Sequence, residues 1–166
     1  MEHTLPSGTT PAASLTVLHI GAEQTTVLQR QGSTQATPLA LDIGAQKTAQ
    51  QFFKHAPPSP YELENAIATV EDEVMRVRPQ IVPGSRLVTS DAAIREIARL
   101  AGLAPAAQIE LPLDAMEQVF QRLTARSLGR PASQDDMPTD TAFAATLLIL
   151  REFMQHLHFA SITVQA

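Results

Sequence analysis

The stretch Leu15-Thr16-Val17-Leu18-His19-Ile20, Gly21-Ala22-Glu23-Gln24, Thr25-Thr26-Val27-Leu28-Gln29-Arg30 decides the fold. Its two outer pieces are short, apolar and rich in β-branched residues, which suits a pleated, partly buried surface. The four residues between them allow only a tight reversal, so the pair reads as a β-hairpin. Gly32-Ser33 marks the next turn. Ala36 to Ile43 reads as a third strand, with Pro38 near its start, where an edge or entry position tolerates the missing N–H.

After Gly44 the period changes. Ala45 to Lys54 reads as a short helix stopped by Pro57-Pro58. Ser59-Pro60 opens a long helix, Tyr61 to Val77, with Ser59 as N-cap, Pro60 at the first helical position, and Glu62 and Glu64 near the positive end of the dipole. Leu63, Ile67, Val70, Val74 and Val77 recur at helical spacing and form one apolar stripe. Arg86 to Thr89 is a fourth strand. Ser90 or Asp91 caps the helix Ala92 to Ala101, which Gly102 ends. Leu113-Asp114 introduces a helix to about Arg126, with Asp114 and Glu117 at capping-box spacing. A polar loop, Gly129 to Pro138, precedes the last helix, Thr139 to Leu157, and the final strand, Phe159 to Val164.

The order is therefore β-β-β-α-α-β-α-α-α-β. A meander followed by strands reached through helices implies right-handed crossovers and parallel pairing of the later strands. The expected class is α/β: a five-stranded mixed sheet of ribonuclease-H-like layout, with helices on both faces. One domain is expected over 15–166, after a flexible leader over 1–14.

Composition bounds the function. The 166 residues suit about one domain of ~150. The net charge is −5, with Lys47 and Lys54 the only lysines, which gives no electrostatic footprint for nucleic acid or an anionic membrane. Cys is absent, so thiol catalysis, disulfides and thiolate-bound metals are excluded. Aromatics make up 4%, so the core must be aliphatic. Met1 to Ser14 lacks the basic and apolar segments of a secretory signal. The most apolar run, Thr141 to Leu150, is half the ~20 residues of a membrane span and reads as a buried helix. A cytoplasmic protein is expected.

No Walker loop, nucleophile elbow, zinc-protease motif or dinucleotide fingerprint is present. His19 and Asp42 both lie near strand ends and would make an acid–base pair if the strands met there. Otherwise His19 is a packed rim residue. His156 and His158 are two apart, which is wrong for a helical metal pair, and read as residues near a helix end. Asp135, Asp136 and Asp140 lack calcium-loop spacing and read as a solvated loop next to a helix start. Glu71 to Glu73 form a solvated face partly compensated by Arg76. Arg95, Arg99, Arg122 and Arg126 read as ordinary surface.

Three stretches resemble the C-terminal actin-like lobe of the exopolyphosphatase and guanosine pentaphosphate phosphatase (Ppx/GppA) family, within the sugar-kinase, Hsp70 and actin superfamily. Leu18-His19-Ile20-Gly21-Ala22-Glu23-Gln24-Thr25-Thr26 stands where the family has Asp-Ile-Gly-Gly-Gly-Ser-Thr-Glu. Leu41-Asp42-Ile43-Gly44-Ala45-Gln46-Lys47-Thr48 stands where a strand ends in Gly and a helix carries Arg. Arg86 to Ile94 stands where a strand runs into a Gly-Gly-Thr turn, here Ser90-Asp91-Ala92. Asp140 resembles the Asp of an Arg-Ala-Asp segment, with Pro138 in place of the Arg.

The resemblance implies a residual phosphate cradle made of Gly21, Thr25, Thr26, Gly44, Lys47 and Ser90, with magnesium only as the companion of a phosphate ligand. The departures argue against chemistry. Ala22 and Glu23 replace two glycines, and their Cβ atoms block the close backbone approach that a phosphate needs. Glu23 and Asp91 bring negative charge to an anion's place, and like charges 4 Å apart repel by ~1 kcal/mol in water and ~4 at an effective dielectric of 20. His19 stands in for the motif's acid. The family's catalytic carboxylate belongs to its N-terminal lobe, outside the resemblance. No catalytic residue, resident metal or cofactor is expected. The expected function is an interaction or regulatory module, as a homodimer or with a protein partner. The alternatives are a sensor of a phosphorylated nucleotide such as guanosine tetraphosphate, or a polyphosphate or guanosine-pentaphosphate hydrolase completed by another chain.

Overall fold

A computed structural model describes residues 14–131 and 136–166. The leader expected over 1–14 and Asp135 lie outside them, except that Ser14 already begins the first strand. The elements are β1 (Ser14–Ile20), β2 (Thr25–Gln31), β3 (Thr34–Gln35), β4 (Leu39–Leu41), α1 (Ala45–Phe52), α2 (Pro60–Val77), β5 (Arg86–Thr89), α3 (Ala92–Leu100), β6 (Gln108–Pro112), α4 (Leu113–Ser127), α5 (Thr141–His156) and β7 (Ser161–Gln165).

The strands form one mixed sheet in the order β3-β2-β1-β5-β7-β6, with β4 also on β2. β1 and β2 form the antiparallel hairpin, with Ile20 opposite Thr25 and Ser14 opposite Gln31. β1 runs parallel to β5, and β5 parallel to β7. The meander-then-crossover reading of the sequence is the architecture that forms.

The sheet has seven strands, not five. The strand expected over Ala36 to Ile43 shortens to β4, since Pro38 supplies no ladder donor, and an extra two-residue strand, β3, precedes it; both pair antiparallel with β2. β6 was not expected. It is antiparallel to β7 and closes that edge. Its burial alternates, with Ile109 and Leu111 inward and Gln108, Glu110 and Pro112 outward.

The helices cover one face of the sheet rather than both. All of them contribute to a single core that includes Leu18, Val27, Leu87, Ile109 and Ile162 on the strands. Leu15, Val17, Leu28 and Val88 point to the opposite face and lie outside that core. Chirality explains this. The crossover from β4 to β5 through α1 and α2, and that from β5 to β7 through α3 to α5, travel the same way across the sheet. Right-handed crossovers that advance in one direction fall on one face.

α5 is the hub. Phe143 to Leu150 are all buried, as are Glu152, Phe153 and Met154, so the helix is enclosed on all sides over its middle turns. It packs against β1 and the other four helices. Among the described residues no helix is long and apolar enough to cross a membrane.

Candidate functional site

The three stretches that carry the resemblance converge at the carboxyl ends of the parallel strands, where ligands bind in open α/β sheets. The β1–β2 turn, the β4–α1 junction and the β5–α3 junction meet there.

The turn is tied to α1 by backbone alone. The first amides of α1 already have acceptors: Ala45 N–H donates to the Gly21 carbonyl at 2.9 Å, and Gln46 and Lys47 donate to the Ala22 carbonyl at 2.9 and 3.0 Å. A helix start holds an anion through such amides when they are unclaimed. Gly44 permits the contact, because a Cβ there would meet the Ala22 carbonyl oxygen at 2.4 Å and the Glu23 carbonyl carbon at 2.5 Å. Gly21 permits the turn itself. Its N–H donates to the Gln24 carbonyl at 2.9 Å, and a Cβ would lie 2.7 Å from that oxygen.

The expected side chains are also engaged. Thr25 is fully buried and donates through Oγ1 to the Ile43 carbonyl at 2.9 Å, locking β2 to the strand end before α1. Lys47 forms an ion pair with the exposed carboxylate of Asp42. Thr26 is half-buried, between His19 on β1 and Ala40 on β4. Ser90 is exposed.

The acid–base pair that His19 and Asp42 would make if their strand ends met does not form. Asp42 turns to Lys47, and its amide donates to Glu73 Oε2 at 2.7 Å. Arg76 bridges Glu73 and the Ala40 carbonyl, and its hydrogen bond to Glu73 holds that carboxyl below its usual range. His19 pairs instead with Asp91, Nδ1 to Oδ1 at 2.6 Å. Asp91 Oδ2 accepts the Ile20 amide at 2.8 Å. Asp91 is the N-cap residue of α3 by position, but its side chain makes no cap hydrogen bond. The chain's own carboxylate thus takes the donor that the end of β1 offers.

Beside this junction lies a shallow pocket of about 310 Å³, bounded by Gly21, Ala22, Gln46, Ala93, Asp140 and Phe143 among others. No Lys or Arg lines it. Its one carboxylate, Asp140, caps α5 by accepting the Phe143 amide at 2.6 Å.

Of the four arginines read as ordinary surface, Arg99 and Arg122 meet on one carboxylate, Asp136. Arg99 pairs with Glu96 and Asp136, Arg122 with Asp136, and Arg95 with the Ala106 and Ala107 carbonyls. Arg126 is buried rather than at the surface, donating to the Met137 carbonyl at 2.7 Å. The one group among the described residues that could hold a metal is Glu71, Glu152 and His156, between α2 and α5. It sits at the far end of α5 from Asp140, about 24 Å away by helix length. Burial pushes the Glu152 carboxyl above its usual range, against the pull of Arg151 at 2.8 Å and His156 at 3.1 Å.

No family model and no curated protein matches this sequence. Solved structures do. The type II variant of the Ppx/GppA phosphatase of Aquifex aeolicus superposes with a TM-score of 0.77 at 17% identity, over 93% of this chain and 54% of that one. An exopolyphosphatase from Cytophaga hutchinsonii gives 0.72 at 13%, over 93% and 54%. An exopolyphosphatase-like protein gives 0.69 at 13%, over 99% and 57%. The chain spans about half the length of each. The described residues have the mixed α/β fold of one lobe of these Ppx/GppA structures.

Proposed function

We propose that this chain is a non-catalytic interaction module built on a Ppx/GppA-like lobe. The observation that carries the reading is the closed anion cradle. The amides at the start of α1 bond the Gly21 and Ala22 carbonyls, Asp91 takes the Ile20 amide, and Lys47 is held by Asp42. An anion would have to displace these partners and meet Glu23 and Asp91 as like charges. The helix-free face of the sheet, with the half-buried Leu15, Val17 and Leu28, is the surface on which a second copy or another protein would pack.

The neighbours' descriptions as phosphatases and exopolyphosphatases give the competing reading, a residual binder of phosphorylated nucleotides. It rests on Lys47, because an exposed ion pair such as Lys47–Asp42 is worth only ~0–1 kcal/mol and opens cheaply. Thermal-shift titration with ATP, GTP, guanosine tetraphosphate and short polyphosphate, with and without magnesium, separates the two. A ligand at a hundred times its Kd adds ~2.7 kcal/mol of stability. The module reading expects no stabilisation that Lys47→Ala removes. A shift that does vanish in Lys47→Ala makes the chain a sensor and opens the question of turnover.

A further inference from the structure

A second pocket lies at the opposite edge of the sheet, at the amino-terminal ends of β5 and β7, with a volume of about 380 Å³. That is within the range of small-molecule sites. Its wall is apolar, from Ile81, Leu87, Leu157 and Phe159, and its rim carries Arg78, Arg86 and His158.

Two observations mark this rim. The first is its cations. Most arginines among the described residues pair with a carboxylate or with carbonyls. Arg78 and Arg86 have no carboxylate partner there, although the chain is acidic overall. Arg78 Nη2 donates to His158 Nε2 at 3.0 Å. A guanidinium only donates, so this ring nitrogen accepts and the ring proton sits on Nδ1. Arg86 Nε donates to Thr163 Oγ1 at 3.2 Å, and that hydroxyl in turn donates to Glu110. The outer nitrogens of Arg86 are left for other partners.

The second is the backbone of His158. α3, α4 and α5 all end in the same paired hydrogen bonds. Leu103 N–H reaches back to Ala98, Arg130 to Ala125 and Phe159 to Met154, with the preceding residue left-handed in each. In α3 and α4 that residue is glycine, Gly102 and Gly129, as the motif prefers. In α5 it is His158, at φ 59°. The fold supplies glycine at two of these positions and keeps an imidazole in an unfavourable conformation at the third, where it steers Arg78 over the pocket.

We propose that this pocket binds a small organic oxyanion, with its phosphate or carboxylate head between Arg78 and Arg86 and an apolar body of about one aromatic ring against Leu157 and Phe159. Guanidinium forks match either head group. His158 acts as a positioning residue. The site is separate from the closed cradle, so its binding survives Lys47→Ala, and it stands or falls independently of the module reading.

The test is calorimetric and NMR titration of the whole chain with phenyl phosphate, benzoate, inorganic phosphate and benzyl alcohol. Phenyl phosphate or benzoate is expected to bind with a Kd below about 1 mM. Arg78→Ala and Arg86→Ala are each expected to weaken it about tenfold, the scale of one charge-assisted hydrogen bond. His158→Gly is expected to raise Tm by about 2–4 °C while weakening binding, a split that a purely structural histidine would not give. Benzyl alcohol binding as tightly would overturn the role of the anion, and inorganic phosphate binding as tightly would overturn the apolar body. Absence of binding by both aromatic anions, or binding unchanged in the two arginine variants, overturns the site.

Discussion

Gly44 is the residue on which the closed cradle turns. Its φ of −151° is ordinary extended backbone, so alanine there would be conformationally unstrained. The obstacle is the backbone of Ala22 and Glu23, at 2.4–2.5 Å from any added Cβ. Gly44→Ala is therefore expected to destabilise by about 2 kcal/mol or more, the usual cost of forcing a methyl into filled space. Gly102→Ala is the control: at φ 87° it is strained, but nothing lies within 4 Å. It should cost about 1–2 kcal/mol through the backbone alone. Urea midpoints of the two variants check this, and a loss at Gly44 no larger than at Gly102 would mean that the turn yields. At this scale the residues singled out from the sequence do come together, but their bonds were misread. Gly21, Gly44, Thr25 and Lys47 do gather at one edge. The Asp91–His19 pairing spans 72 residues and has no local signature, so Asp91 read, with Ser90, as a candidate helix cap and His19 as a packed rim residue or a partner of Asp42.

At the scale of elements, the α1–α2 connection depends on Glu62. Ser59 Oγ accepts the Glu62 amide, and Glu62 Oε1 accepts the Ser59 amide at 2.9 Å, a complete capping box. Glu62 Oε2 also takes the Lys54 amide at 2.9 Å and faces His55 Nδ1 at 3.1 Å. Burial pushes this carboxyl up, but the two amides and the imidazole outweigh it and bring the pKa from 4.5 to about 2. A depressed carboxyl stabilises the fold above its unfolded pKa and loses that contribution as pH falls. Stability should therefore drop by about 3 kcal/mol between pH 4.5 and pH 2 through this group alone. Glu62→Gln should be less stable near neutrality and show a flatter acid limb in urea unfolding. A wild-type acid limb unchanged in that variant would remove Glu62 from the account. Ser59 and Pro60 made this helix start legible in the sequence. At α4 the Asp114–Glu117 spacing misled, because Pro112 ends β6 and α4 follows at once, with Leu113 N–H taken by the Ala160 carbonyl at 2.8 Å. β6 escaped notice because Gln108-Ile109-Glu110-Leu111-Pro112 has only one β-branched residue, although its alternation was there to be read.

At the scale of the whole molecule, one-sided covering puts the core and the proposed partner surface on opposite faces of the same strands. The topology was legible because a hairpin followed by alternation admits few layouts. The covering was not, because it depends on the direction in which successive crossovers advance, and that follows from strand order rather than from any local pattern. The consequence can be measured. Leu147 is fully buried on α5, within the core shared by all five helices, and Leu147→Ala should cost about 2–5 kcal/mol. Val17 is half-buried on the open face, outside that core. Val17→Ala should cost under about 1 kcal/mol, near the range of surface substitutions. Both should leave the urea m-value unchanged, since the surface exposed on unfolding is nearly the same. A loss at Val17 comparable to that at Leu147 would mean that this face is packed in the isolated chain, and the partner surface would have to be sought elsewhere. A small loss leaves Leu15, Val17 and Leu28 as apolar area that folding covers only in part, and a binding partner would gain from covering it.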